Sequence, residues 1–150
     1  MQCGLGIPDN HVASSYAFSR TKLFYGNAFE TLTTTVVVLA CLNNISCGRD
    51  FDTFEQMTLK KYLSTNKANR CAPFKSTQEL SAICDCLDST IRNASHHGGM
   101  KLVNNGMKVQ YRSGGSGAVR TMPYVQYLNY CNQIMLSCCA LLALELALAF

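Results

Sequence analysis

Residues 134–150 read IMLSCCALLALELALAF, a run broken only by Ser137 and Glu145. A helix that is apolar on every side has no face to give to water, so what encloses this one decides the fold. A bilayer needs about 20 apolar residues with Lys or Arg at the flanks. This run is shorter, carries Glu145 near its end and has no such anchors. Burial inside its own domain is the commonest fate of such a segment. Packing against neighbouring copies is the sharper expectation, because a small domain has trouble covering every side of it. Ile134, Met135, Leu141, Leu142, Leu146 and Phe150 are the residues expected at that subunit interface.

Upstream, Thr121 and Pro123 supply a helix start, since proline costs nothing in a first turn where its missing donor would be unpaired anyway. One long helix is therefore expected from Tyr124 to Phe150, about 40 Å at roughly 1.5 Å per residue. Before it the period changes. Lys101-Leu102-Val103, Asn104-Asn105-Gly106 and Met107 to Tyr111 spell two short arms around a turn whose residues tolerate positive φ, so a β-hairpin near residues 100–112 follows. Alternation puts Met107, Val109 and Tyr111 on one face of the second arm and Lys108, Gln110 and Arg112 on the other. Ser113-Gly114-Gly115-Ser116-Gly117 reads as a flexible joint.

Three segments of the first half carry a polar residue followed three positions later by Glu, the form of a helix capping box. They are Asn27 with Glu30, Asp52 with Glu55, and Ser76 with Glu79. They predict helices over about 28–43 and 52–63, and an amphipathic one in which Leu80, Ile83, Cys84, Leu87 and Ile91 form a stripe. The β-branched run from Thr33 to Val38 keeps a strand open as the alternative to the first of these. Gly6, Pro8, Asp9 and Asn10 read as a lead-in turn, after which Val12, Tyr16, Ala17, Leu23 and Phe24 give a loose helical face. The fold class that results is mainly α, a helical bundle of about five helices with the short hairpin, in a single domain spanning residues 1–150.

Charge is distributed unevenly. From Met1 to Asp88 eight basic residues meet eight acidic ones. Beyond Asp88 come Arg92, Lys101, Lys108, Arg112 and Arg120 against Glu145 alone, which accounts for the whole net charge of +4. An acid-free stretch of this kind draws polyanions, and Lys or Arg neutralise phosphates without reading bases. Lys101, Lys108, Arg112 and Arg120, with Tyr111 to stack on exposed bases, are the nucleic-acid-binding candidates.

Nine cysteines, an odd number, several inside apolar helical runs, are expected as free thiols in a reducing, intracellular compartment, with no signal peptide before Pro8. The triplets Asn44-Ile45-Ser46 and Asn93-Ala94-Ser95 have the form of glycosylation sequons, a pattern that arises often by chance. Cys84, Cys86, His96 and His97 have the wrong spacing for zinc, because one intervening residue sends the two cysteines to different sides of a helix. Neither a phosphate-binding loop nor a dinucleotide fingerprint is present: Arg120 stands where the last glycine of the latter belongs. No cysteine and histidine are singled out as a nucleophile and its base. No metal and no cofactor are expected, and no enzymatic activity.

The expectation is thus a non-enzymatic, self-assembling structural protein, a homo-oligomer or filament such as a viral coat or nucleocapsid subunit. It would bind the RNA or DNA backbone without sequence preference, in the cytoplasm or within a virion. The alternative is a membrane-associated or partner-binding helical protein that uses its C-terminal helix.

Overall fold

The computed structural model describes residues 17–112, 114 and 117–150. The lead-in turn, Val12, Tyr16 and most of the glycine joint lie outside the described residues. The chain is mainly α, with 61% of the described residues in α- or 3₁₀-helix and a small three-stranded antiparallel sheet, as the fold class anticipates. The helices are α1 (Phe18–Thr35), α2 (Val37–Ser46), α3 (Leu59–Leu63), α4 (Gln78–Ser81), α5 (Ser89–His96) and α6 (Tyr124–Ala149). The strands are β1 (Met100–Val103), β2 (Lys108–Tyr111) and β3 (Arg120–Pro123), in the order β1-β2-β3. By its contacts the chain divides into two compact units, one of Met1–Gly26 with Ser89–Asn132 and one of Asn27–Asp88 with Gln133–Phe150.

The first unit is built on aromatic packing. Phe18 meets the rings of Tyr124 and Tyr127 edge-on at 5.8 and 6.3 Å, and Tyr25 lies 6.0 Å from Tyr127. Such tilted and edge-on pairs suit the ring quadrupole and add to the burial of large apolar surface. Tyr127 donates its hydroxyl to the carbonyl of Thr21, which ties the first turn of α6 to the first turn of α1. Leu23 and Phe24, expected on the packed face, are instead exposed, because Tyr25 takes the inward position. The hairpin forms as read. Asn104, Asn105 and Gly106 all have positive φ, and Met107 donates back to Asn104 at 3.0 Å. β3 escaped the sequence reading because Arg120-Thr121-Met122-Pro123 is short and ends in a proline.

The second unit corrects all three capping boxes. Asn27 lies inside α1, since the apolar face Tyr25, Phe29, Leu32, Val36 runs straight through it at helical spacing. Glu30 receives Lys67 Nζ at 2.6 Å rather than closing a helix start. Asp52 and Glu55 open no helix: α3 starts later, with the Thr58 side chain accepting from the Lys61 amide. Phe54, freed from a helix, stacks on Tyr62 at 4.8 Å. Thr77 rather than Ser76 precedes α4, and its hydroxyl is donated to Asn43 Oδ1 at 2.8 Å instead of capping.

The expected amphipathic stripe is also broken. α4 passes into a 3₁₀ turn at Ala82–Cys84 and a new helix starts at Ser89, just after Asp88, a residue type favoured at helix starts. Cys84 is joined to Cys71 by a disulfide, so these two cysteines are not free thiols. Cys86, which the expected stripe left out, is buried. The Thr33 to Val38 run is helical. The hydroxyls of Thr33, Thr34 and Thr35 donate to carbonyls three or four residues back, which satisfies them inside the helix. The interruption between α1 and α2 falls at the next residue, Val36.

Candidate nucleic-acid interface

The strand register assigns each basic candidate to a face. Lys101 is opposite Gln110, and Gln110 is opposite Thr121. Val103, Lys108 and Pro123 make the next row on the same face. Lys101 and Lys108 are thus diagonal neighbours, roughly 7–8 Å apart by ordinary sheet geometry, and both are exposed. Arg112 extends this face by one step, because its amide donates to the Gly99 carbonyl at 3.0 Å and continues the ladder. Lys101, Lys108 and Arg112 therefore stand together around Gln110.

The opposite face is the packed one. Leu102, Val109 and Met122 form one row, and Met100, Tyr111 and Arg120 the other. Tyr111 is only 8% exposed and so offers no ring for a base to stack on. Tyr124 is buried as well. Arg120 is exposed at the start of β3, but its row separates it from Lys101 and Lys108. Of the five candidate residues the sheet brings three together.

A shallow cavity of about 140 Å³ opens between the end of α5 and this face, lined by Gly98, Gly99, Lys101, Gln110, Arg112 and Val119 among others. Gly99, just before β1, is a residue that the sequence reading did not single out. A Cβ there would lie 2.8 Å from the Arg112 carbonyl oxygen, so only glycine lets the two backbones approach at this point. The pair Gly98-Gly99 in front of a strand was the available signal.

The charge partition is sharper in space than along the chain. The unit that holds the sheet contains Arg20, Lys22, Arg92, Lys101, Lys108, Arg112 and Arg120 against Asp9 alone. The other unit holds six basic and eight acidic residues.

The expected interface residues divide in the same way. Ile134 and Leu141 are buried, on a line with the half-buried Cys138. Met135, Leu142, Leu146 and Phe150 are exposed, as are Leu136 and Leu148. The thiols of Cys41 and Cys86 are pushed above their ordinary value chiefly by burial, which keeps them protonated and weakly nucleophilic near neutral pH. No group of three or more His, Cys, Asp or Glu residues is placed to hold a metal ion among the described residues. No protein-family model, curated protein or solved structure matches the chain.

Proposed function

We propose that this chain is a non-enzymatic, self-assembling structural protein of the coat or nucleocapsid kind. In this reading it holds nucleic-acid backbone on the solvent face of its sheet and meets copies of itself along α6. The observation that carries the proposal is the charge partition. Seven basic residues share a unit with a single acid, and three of them surround one exposed sheet face. With Tyr111 and Tyr124 buried, contact through Lys101, Lys108 and Arg112 is contact by charge, which is sequence-independent and salt-sensitive.

The occupant proposed for the exposed side of α6 is a second copy of the chain. Met135, Cys139, Leu142 and Leu146 recur at spacings of four, three and four residues, the repeat by which helices pack side by side, with Glu145 the one charge between them in sequence. Met135, Leu142 and Leu146 on that line are 45%, 57% and 53% exposed. Assembly in the cytoplasm, with the Cys71–Cys84 disulfide closing where a particle meets oxidising conditions, fits the same reading.

One observation favours a second reading. Helices Phe18–Ser46 and Tyr124–Ala149 are long and apolar enough to cross a membrane, and only 17% of the apolar window of the latter is buried. Sedimentation of the purified protein with and without nuclease separates the two. Large particles that protect nucleic acid support the assembly. A species that stays dispersed only in detergent, with no retained nucleic acid, overturns it in favour of the membrane.

A further inference from the structure

One cavity, lined by residues between Asn43 and Thr77, has no part in the reading above. It encloses about 580 Å³ within the second unit, a size usual for small-molecule sites, and Asn43, Asn44, Arg49, Phe54, Met57 and Pro73 are among its walls. The walls are fixed in advance of any ligand. Asn43, 4% exposed, donates from Nδ2 to the Pro73 carbonyl and accepts from the Thr77 hydroxyl. Asn44, 1% exposed, donates from Nδ2 to the Phe51 carbonyl.

Arg49 is the one cationic side chain in the lining, and it is incompletely used. Nη1 donates to Glu55 Oε1 at 3.1 Å and Nη2 makes a long 3.4 Å contact with Asn44 Oδ1. Nε is buried and has no hydrogen-bond partner. Nη2 is therefore the donor with only a weak acceptor, and a guanidinium nitrogen so placed suits a carboxylate oxygen. Glu55 is 73% exposed, so water competes for it and it is a weak rival for the same cation. Phe54, Met57 and Pro73 border the same space, and a bare inorganic anion would leave them facing water.

We infer that this cavity binds a small organic carboxylate with an apolar body, the carboxylate on Arg49 and the body against Met57 and Pro73. The test uses the full chain and two probes of one shape, benzoate and the neutral benzamide, followed by side-chain and backbone amide shifts in solution NMR. Benzoate is expected to give saturable shifts at Asn43 and Asn44, and benzamide to bind at least about tenfold more weakly. Arg49→Gln is expected to remove that preference. Equal binding of the two probes, an Arg49→Gln protein that still prefers benzoate, or no saturable shift with benzoate throughout the millimolar range overturns the assignment. Should Arg49→Gln fail to fold, Glu55→Gln at its exposed position decides: tighter benzoate binding supports the site, and unchanged or weaker binding removes it.

Discussion

The guanidinium of Arg70 donates from Nη1 to the carbonyl oxygen of Thr33 at 3.1 Å, at the place where α1 gives way to α2. The same side chain reaches the Leu63 carbonyl from Nη2 at 2.7 Å and the Thr65 carbonyl from Nε at 3.4 Å. Its own carbonyl accepts the Tyr62 hydroxyl at 2.8 Å. A residue 9% exposed and carrying a full charge is thus dissolved in backbone carbonyls, its desolvation offset by dipoles rather than by an acid. Arg70→Met keeps the volume and deletes the donors, leaving several carbonyls unpaired. Urea denaturation should give a loss of about 2–4 kcal/mol. A change below about 0.5 kcal/mol would mean that water replaces the guanidinium without penalty.

Tyr62 contributes to the alkaline limit of the same unit. Burial pushes its hydroxyl from 10.0 up to about 12, with Cys41 adding slightly and Arg70 acting the other way. The folded state therefore prefers neutral tyrosine. The stability it confers is complete below pH 10, the unfolded value, and is lost as pH rises towards 12. The loss should be on the order of 2–3 kcal/mol. Tyr62→Phe should flatten this part of the pH–stability curve at some cost at neutral pH. A curve equally steep in the variant would assign the alkaline transition elsewhere.

What was legible in the sequence was what repeats. The single-sided alternation of Lys108, Val109, Gln110 and Tyr111 and the unbroken apolar run of α6 are periodic signals, and both elements appear as read. Capping boxes are short patterns that compete with tertiary packing. At Asn27 the continuous face of Tyr25, Phe29 and Leu32 outweighs a cap, and at Thr77 a distant asparagine claims the hydroxyl. The Cys71–Cys84 pairing depends on two turns that bring the residues together, and nothing local to either cysteine announces it. Lys108 and Arg112 could be placed on one face from the alternation of the second arm; Lys101 joins them only through the strand pairing, and Arg120 could not be placed because β3 was unseen.

If the sheet face holds phosphates, its lysines act through counterion release. Lys101→Gln with Lys108→Gln should lower affinity for single-stranded RNA and reduce the slope of log affinity against log salt by about 1.4. Lys60→Gln with Lys61→Gln, an exposed pair on α3, removes the same charge from the other unit and should leave the slope nearly unchanged. Equal effects from the two pairs would show that net charge rather than this face governs binding.

The exposed side of α6 makes a prediction separable from folding. Leu142→Glu and Leu146→Glu stand at positions 57% and 53% exposed, so the isolated chain should lose no more than about 0.5 kcal/mol. Analytical ultracentrifugation should nevertheless show assembly reduced to small species. Ile134→Glu is the contrasting variant, because Ile134 is fully buried and its replacement should unfold the second unit. Undiminished assembly in both leucine variants would remove this side of α6 as the contact between copies.

The disulfide supplies a redox dependence that acts on one stretch of chain. Cys71 and Cys84 close a loop of sequence separation 13 whose contents are brief helical turns. Such a loop has little regular hydrogen bonding of its own, and Asn43 alone ties Pro73 and Thr77 to α2 among the hydrogen bonds described. Closing a loop of this length restricts the unfolded chain by about 3 kcal/mol. Reduction, or Cys71→Ser with Cys84→Ser, should therefore lower thermal stability and raise proteolysis within 71–84 first. The sheet of the other unit should keep its amide protection, since no residue of the loop belongs to that unit. Simultaneous loss of protection in both units would instead mean that they unfold as one cooperative body.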